Sequence, residues 1–335
     1  MFYRQILVLG SIVTAAASLQ SCSTEADIQQ AEQECGEPLE EIKQQNQISD
    51  RCRAAILGLL PSSQANVESR SLTLLDQTNA GEREIVVAFT DEFGKALDLN
   101  DVLKLKISVE NDGEIDDIAS ENVSVTAIKS TPQPDFLSLS FVSDYSGSMR
   151  DEDIRLGNEL FGDLATLLSG IYESEVSIFS TTPKIQQDYT SDLANVLAGL
   201  ELDSSFSRES TALYDAVGQA TTRIIQRDTA ARILVTSTDG AENASTEWTK
   251  SELLKQQGDY PVFKIMLGSL FSDVDELKAL AGDNGVYIYA REMKYFKDNV
   301  LEVNKALSRA VTIKFPSAAG TVHISIGNQT YSIIP

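Results

Sequence analysis

The chain has 335 residues, of which 42% are hydrophobic and 23% charged, enough to fill more than one core and too apolar for a disordered chain. With 50 acidic residues against 27 basic ones, the net charge of −23 sets it against nucleic acid and anionic membrane surfaces as partners. It has a single histidine and no His-Glu-x-x-His, Gly-x-Ser-x-Gly or Gly-x-x-x-x-Gly-Lys-Ser/Thr pattern, which argues against hydrolase and nucleotide chemistry.

At the N-terminus, Arg4 precedes an apolar run from Ile6 to Ala17, and Leu19-Gln20-Ser21-Cys22 follows. The run is too short to span a bilayer as a mature helix and has signal-peptide proportions. It resembles a bacterial lipoprotein signal over residues 1–21, which implies cleavage before Cys22 and lipid on its thiol. Ordinary signal-peptidase cleavage after a small residue is the alternative, and both export the chain. By resemblance to sorting in Gram-negative cells, Ser23 after the lipidated cysteine implies the outer membrane of the cell envelope. If Cys22 is lipidated, Cys35 and Cys52 form an even pair in an oxidising compartment and are expected as a disulfide, with two free thiols as the alternative. Both lie in a Gln/Glu-rich tether, residues 22–65, that reads as a small helical hairpin.

Residues 66–130 carry alternating runs at Ser71–Leu75, Glu84–Phe89, Leu103–Val109 and Val123–Ile128, separated by turn clusters at Asn79-Ala80-Gly81 and Asn111-Asp112-Gly113. These read as strands of an immunoglobulin-like β-sandwich. Four strands are too few for such a unit, and three more follow late in the chain at Val311–Phe315, Val322–Ile326 and Thr330–Ile334. One sandwich built from residues 66–130 and 311–335 is therefore expected, with Thr131-Pro132-Gln133-Pro134 as a linker. His323 lies in one of these late strands and reads as a bystander to any chemistry.

Residues 135–310 alternate strand and helix, with β runs at 136–143, 175–181, 231–237, 261–267 and 286–290 and helices such as Ile154–Leu168, Ala212–Gln226 and Phe296–Ala310. This is the pattern of an α/β domain with a doubly wound, mostly parallel sheet, inserted in the sandwich. The first run ends in Asp144-Tyr145-Ser146-Gly147-Ser148. One carboxylate and two hydroxyls on a tight turn suit a hard divalent cation. Ser210-Thr211 opens a helix, and Thr238-Asp239-Gly240 closes a buried strand. In an open α/β sheet all three segments fall outside the carboxyl ends of the strands, where ligands bind.

Here the chain resembles the von Willebrand factor type A family, whose metal-ion-dependent adhesion site combines Asp-x-Ser-x-Ser with a threonine and an aspartate on two further loops. The resemblance implies hydroxyl ligands from Ser146, Ser148 and Thr211, with Asp144 and Asp239 binding Mg²⁺, or Mn²⁺ or Ca²⁺, directly or through water. Where the family often has glycines before the threonine, this chain has Arg208-Glu209-Ser210, which alters the rim. Asp151 and Glu152 resemble the acidic pair of a second, adjacent metal site in integrin β subunits. Their other reading is an acidic first helical turn that complements the helix dipole.

Two carboxylates and three hydroxyls leave one coordination position of an octahedral ion open, so the expected partner is a protein offering an Asp or Glu carboxylate. The expected function is adhesion or protein–protein binding by a lipid-anchored envelope protein, with neither nucleic acid nor a small-molecule substrate and no enzymatic turnover. The alternative is a structural or assembly scaffold of the envelope in which the metal only stabilises the loops. The final helix of the α/β domain runs straight into a sandwich strand, so ligand binding is expected to couple to domain orientation.

Overall fold

The computed structural model describes residues 63–65 and 70–333, apart from 80, 92–93, 131–135, 240–241, 260–261, 270–271, 273, 283–284, 291–296 and 317–319. Residues 1–21, expected as a signal peptide, Cys22, Cys35, Cys52 and the stretch Thr131–Pro134, expected as a linker, lie outside the described residues.

Ser63–Ala65, at the end of the tether and beyond its expected helices, forms a short strand, β1. Strands β2 (Ser71–Asn79) and β3 (Glu82–Phe89) follow, then a single-turn helix, α1 (Leu99–Val102). The alternating run at Leu103 therefore does not begin a strand. Asp98 accepts a hydrogen bond from the Asn100 amide at 2.8 Å and starts the helical turn, and strand β4 (Lys106–Asn111) begins only after it. Asp112 (φ 51°) and Gly113 (φ 85°) then form a two-residue hairpin turn into β5 (Glu114–Ile118). Positive φ at both central residues matches the right-handed twist of the flanking strands. Strand β6 (Ser124–Ala127) completes this part of the chain.

The α/β segment runs β7 (Leu137–Asp144), α2 (Asp151–Leu167), β8 (Tyr172–Phe179), β9 (Pro183–Thr190), α3 (Leu193–Gly199), α4 (Leu213–Ile225) and β10 (Ala231–Thr238). It continues with α5 (Lys250–Asp259), β11 (Phe263–Ser269), α6 (Val274–Ala281), β12 (Val286–Ala290) and α7 (Lys297–Ser308). Its sheet has the order β1-β12-β11-β10-β7-β8-β9. The five inner strands are parallel, while β1 and β9 pair antiparallel at the two edges. Every residue of β7 and of β11 is buried, as expected of strands covered on both faces. On one face Phe141 stacks on Phe161 of α2 at 5.1 Å. On the other, Val142, Leu234 and Met266 pack with Leu213, Val217 and Leu277 of α4 and α6. The same face of β7 and β8 turns polar lower down, where buried Glu175 pairs with Arg223 and Ser138 donates to Glu173 at 2.9 Å.

The chain closes with β13 (Val311–Pro316), β14 (Thr321–Ile326) and β15 (Gln329–Ile333). These join the earlier strands in two four-stranded antiparallel sheets, ordered β2-β3-β13-β6 and β15-β14-β4-β5. Strand β3 shows how the layers stack. Ile85, Val87 and Phe89 face a core shared with Ile107, Val109, Val322 and Ile324 of the other sheet. The alternate residues Val86 and Ala88 join Leu72 and Leu74 in the core that also contains Val300, Val303 and Leu307 of α7. The period of two puts apolar side chains on both faces, so this sheet is a middle layer. Helix α7 is held on both sides: Asn304 donates to the Leu160 carbonyl of α2 at 3.2 Å, and Arg309 donates to the carbonyls of Ala96 and Leu97 at 3.2 and 3.0 Å. Among the described residues no helix is long and apolar enough to cross a membrane.

Candidate metal centre

The sheet order fixes where a site can form. From β7 the chain proceeds outward through β8 and β9, then returns to the other side of β7 and proceeds through β10, β11 and β12. The loops leaving β7 and β10 therefore diverge and open a crevice at the carboxyl ends of the strands. Asp144 is the last residue of β7, and Asp239 follows the last residue of β10.

Asp144 is fully buried, and both of its carboxylate oxygens accept hydrogen bonds: Oδ1 from the Ser146 amide and Oδ2 from the Thr238 hydroxyl, each at 2.6 Å. Asp239, also buried, accepts from the Ser148 hydroxyl at 2.8 Å, and the Ser148 and Ser146 hydroxyls lie 3.1 Å apart. Four of the five residues singled out from sequence thus join in one hydrogen-bonded chain. The fifth, Thr211, is buried on the loop entering α4. The Gly147 amide, inside the Asp-x-Ser-x-Ser turn, donates to the Glu209 carbonyl at 3.0 Å and brings that loop alongside.

Burial pushes the Asp144 carboxyl up to about 6, against the donors from Thr238 and Ser146. Burial and the neighbouring Asp144 charge push Asp239 up to about 7. Among the described residues no cationic side chain bonds either group. Two buried carboxylates without a counter-charge carry a desolvation cost that hydroxyl donors only partly offset. A hard divalent ion held by Asp144, Ser146, Ser148, Thr211 and Asp239 fits that deficit, since oxygen donors of this kind are what Mg²⁺ and Ca²⁺ take. No group of three or more His, Cys, Asp or Glu side chains poised for a metal gathers among the described residues. The crevice relies on hydroxyls for its remaining donors.

The rim carries its own charges. The Arg208 guanidinium lies 5.7 Å over the Tyr145 ring and pairs with Asp151. Tyr145 in turn meets Phe206 edge-on at 5.9 Å. Asp151 and Glu152 are both exposed on the first turn of α2, with Asp151 committed to the rim arginine, while Arg150 makes a bidentate pair with Asp153 at 2.6 and 2.9 Å. His323 sits outside the crevice, in β14, between Glu110 and Ser332 at 2.9 Å each.

Sequence reasoning missed three residues that hold the site. Thr238 orients Asp144. Ser180, after β8, accepts from the Glu209 amide at 2.8 Å through its hydroxyl and from the Ala212 amide at 2.8 Å through its carbonyl. Asn243 accepts from the Thr211 amide at 2.9 Å. A hydroxyl on the last position of a buried strand, next to a candidate ligand, was a usable signal for Thr238. Ser180 and Asn243 belong to no pattern.

The architecture and the crevice define a doubly wound α/β protein with a buried acidic, hydroxyl-lined site at its switch point. No protein-family model matches the chain, and no curated protein matches it in sequence. Among solved structures it is similar to proximal thread matrix protein 1 from the mussel byssus, with a zinc-occupied MIDAS motif, at 15% identity and TM-score 0.47. That match covers 57% of this chain and 49% of the mussel protein, so it spans about half of that protein's length. It is also similar to BatB from Bacteroides thetaiotaomicron (17% identity, TM-score 0.41, covering 51% of this chain and 98% of that one). An aerotolerance-related membrane protein from Bacteroides fragilis gives 16% identity and TM-score 0.42 over 52% of this chain and 99% of that one. The likeness is one of fold.

Proposed function

We propose that the crevice holds a divalent cation, Mg²⁺ or in its place Mn²⁺ or Ca²⁺, and that the protein uses it to bind a partner protein through an Asp or Glu carboxylate. The observation that carries this reading is the pair of buried carboxylates, Asp144 and Asp239, bonded by hydroxyls and by no cationic side chain among the described residues. A bound ion would supply positive charge with an incomplete oxygen shell, which an incoming carboxylate completes. Ser148 and Gly147 are exposed and give that carboxylate a way in. The role is binding rather than turnover, because the groups around the crevice are hydroxyls and carboxylates already bonded to one another. An ion beside Asp151 and Glu152 would have to displace Arg208.

The reading extends to an envelope protein anchored in the outer membrane by lipid on Cys22, with an immunoglobulin-like sandwich made by the two four-stranded sheets. It rests on the lipoprotein-like N-terminus and the sheet pairing. The scaffold alternative has one observation in its favour: hydrogen bonds from Ser146 to Ser148 and from Ser148 to Asp239 already tie the two loops to each other.

Calorimetric titration of residues 23–335 with Mg²⁺, Mn²⁺ and Ca²⁺, with and without acetate, tests the proposal. One saturable site is expected, lost in Asp144→Ala, with acetate tightening the ion because ligands of one shell raise each other's affinity. An ion that binds but ignores acetate would favour the scaffold. A wild type that takes up no divalent ion at millimolar concentration would overturn both.

A further inference from the structure

We propose that Asn243, backed by Glu242, is a positioning residue for this centre: it fixes the peptide of Thr211 and so sets the fifth oxygen donor against the two aspartates. The inference rests on the cation reading above and deepens it.

Helix α4 starts without a cap of its own. Its N-cap residue is Ala212, which has no side-chain acceptor, although the first-turn amides of any helix need one. The acceptors come from a different segment. The Tyr214 amide donates to Glu242 Oε2 at 2.8 Å and the Asp215 amide to Ser245 Oγ at 3.0 Å. Glu242 holds that segment in shape by accepting from the Ala244 and Ser245 amides at 2.8 and 2.6 Å. Asp215, inside the helix, returns the contact, accepting from the amides of Thr246, Glu247 and Trp248 at 2.9, 2.9 and 2.8 Å. Helix and loop cap each other, and the Glu242 carboxylate also complements the helix dipole.

Capping explains the bonds to Tyr214 and Asp215 but not those of Asn243. Asn243 grips Thr211, which lies before the helix, at both ends of one residue. Its Oδ1 accepts from the Thr211 amide at 2.9 Å, and its own amide donates to the Thr211 carbonyl at 3.0 Å. Ser180 holds the adjoining residues from the opposite side through the Glu209 and Ala212 amides. Thr211 is thus clamped between the loops leaving β8 and β10. Because Asn243 lies in the loop begun by Asp239, the threonine and the second aspartate are tied through a single loop. A cation that demands near-ideal octahedral geometry is sensitive to a displacement of about half an ångström in one donor.

The test compares four proteins of residues 23–335: wild type, Asn243→Ala, Asn243→Asp and Asp192→Ala. Asp192 caps α3 by accepting from the Ala194 amide at 2.9 Å and serves as a cap outside the centre. Measured are Mg²⁺ affinity by calorimetry, Tm, and hydrogen exchange of the Thr211 amide without metal. Asn243→Ala is expected to speed exchange at Thr211 and weaken Mg²⁺ at least tenfold. Asn243→Asp keeps the acceptor oxygen and should restore both. Asp192→Ala should lower Tm and leave Mg²⁺ affinity unchanged. Wild-type Mg²⁺ affinity in Asn243→Ala overturns the positioning role while the cation reading stands. Absence of Mg²⁺ binding in the wild type overturns the cation reading, and the positioning role with it.

Discussion

At the scale of single residues, the molecule carries one charge that nothing in the proposed function uses. Lys264 of β11 is 1% exposed, and its Nζ has no hydrogen-bond partner among the described residues. By strand alternation it shares a face with Met266, in the apolar layer beneath α4 and α6. Burial pushes its ammonium down to about 8. Between that value and the ordinary 10.5, the unfolded chain binds the proton and the native one does not, so stability rises with pH across this window. Below it the cost of burying the ammonium is fully present. Lys264→Met should therefore raise stability at pH 7 by about 2 kcal/mol, with the advantage over wild type shrinking as pH climbs toward 10.5, as read by denaturant unfolding at several pH values. An equal gain at every pH would show that the lysine titrates in the folded protein as it does in the unfolded chain. At this scale Asp144 and Asp239 were legible because a carboxylate at the end of an apolar run breaks the pattern around it. Lys264 was not, because one lysine in a run such as Val262-Phe263-Lys264-Ile265 looks the same whether it points to solvent or into a layer. Asn243 was illegible for a related reason: its role is a bond to a residue 32 positions away.

At the scale of elements, the buried parallel strands read clearly from sequence, since both their faces are covered and they appear as continuous apolar runs. Two edge strands did not. Strand β9, Pro183–Thr190, is exposed or half-exposed along its length, and β5 is exposed apart from half-buried Ile118, its Ile115 included, so neither shows a buried apolar alternation. They exist because β8 and β4 offer free edges for pairing. Helix α4 shows how tightly one element can depend on its neighbour. A Cβ added at Gly218 would stand 2.3 Å from Cδ2 of Trp248, in the loop that clamps Thr211. Gly218→Ala should cost about 1–3 kcal/mol, because the indole must move: Cγ and Cε2 would also lie 2.5 and 2.6 Å from the new methyl. Trp248 is the only tryptophan of the chain, so its emission should shift to the red in the same variant. Unchanged emission and stability would mean the ring repacks freely.

At the scale of the whole molecule, the boundaries drawn by pattern do not coincide with the boundaries of the cores. Leu72, Leu74, Val86 and Ala88 belong to the same core as Leu139, Phe161 and Val303, so the α/β segment and the middle sheet bury one another. Thermal unfolding followed by calorimetry should then show a single transition, and residues 135–310 expressed alone should be markedly less stable, with the inward face of α7 uncovered. Two resolved transitions would show independent units instead. The position of β13 has a consequence for biosynthesis. It lies between β3 and β6, so one of the two inner strands of that sheet is made after the whole α/β segment. Until then β3 and β6 are nascent strands with open edges, exposed to mispairing. The second sheet is delayed in the same way, since β14, between β15 and β4, arrives later still. The nascent chain therefore cannot complete its fold in the order in which it is synthesised, and its earliest strands must be kept from other chains until β13, β14 and β15 emerge.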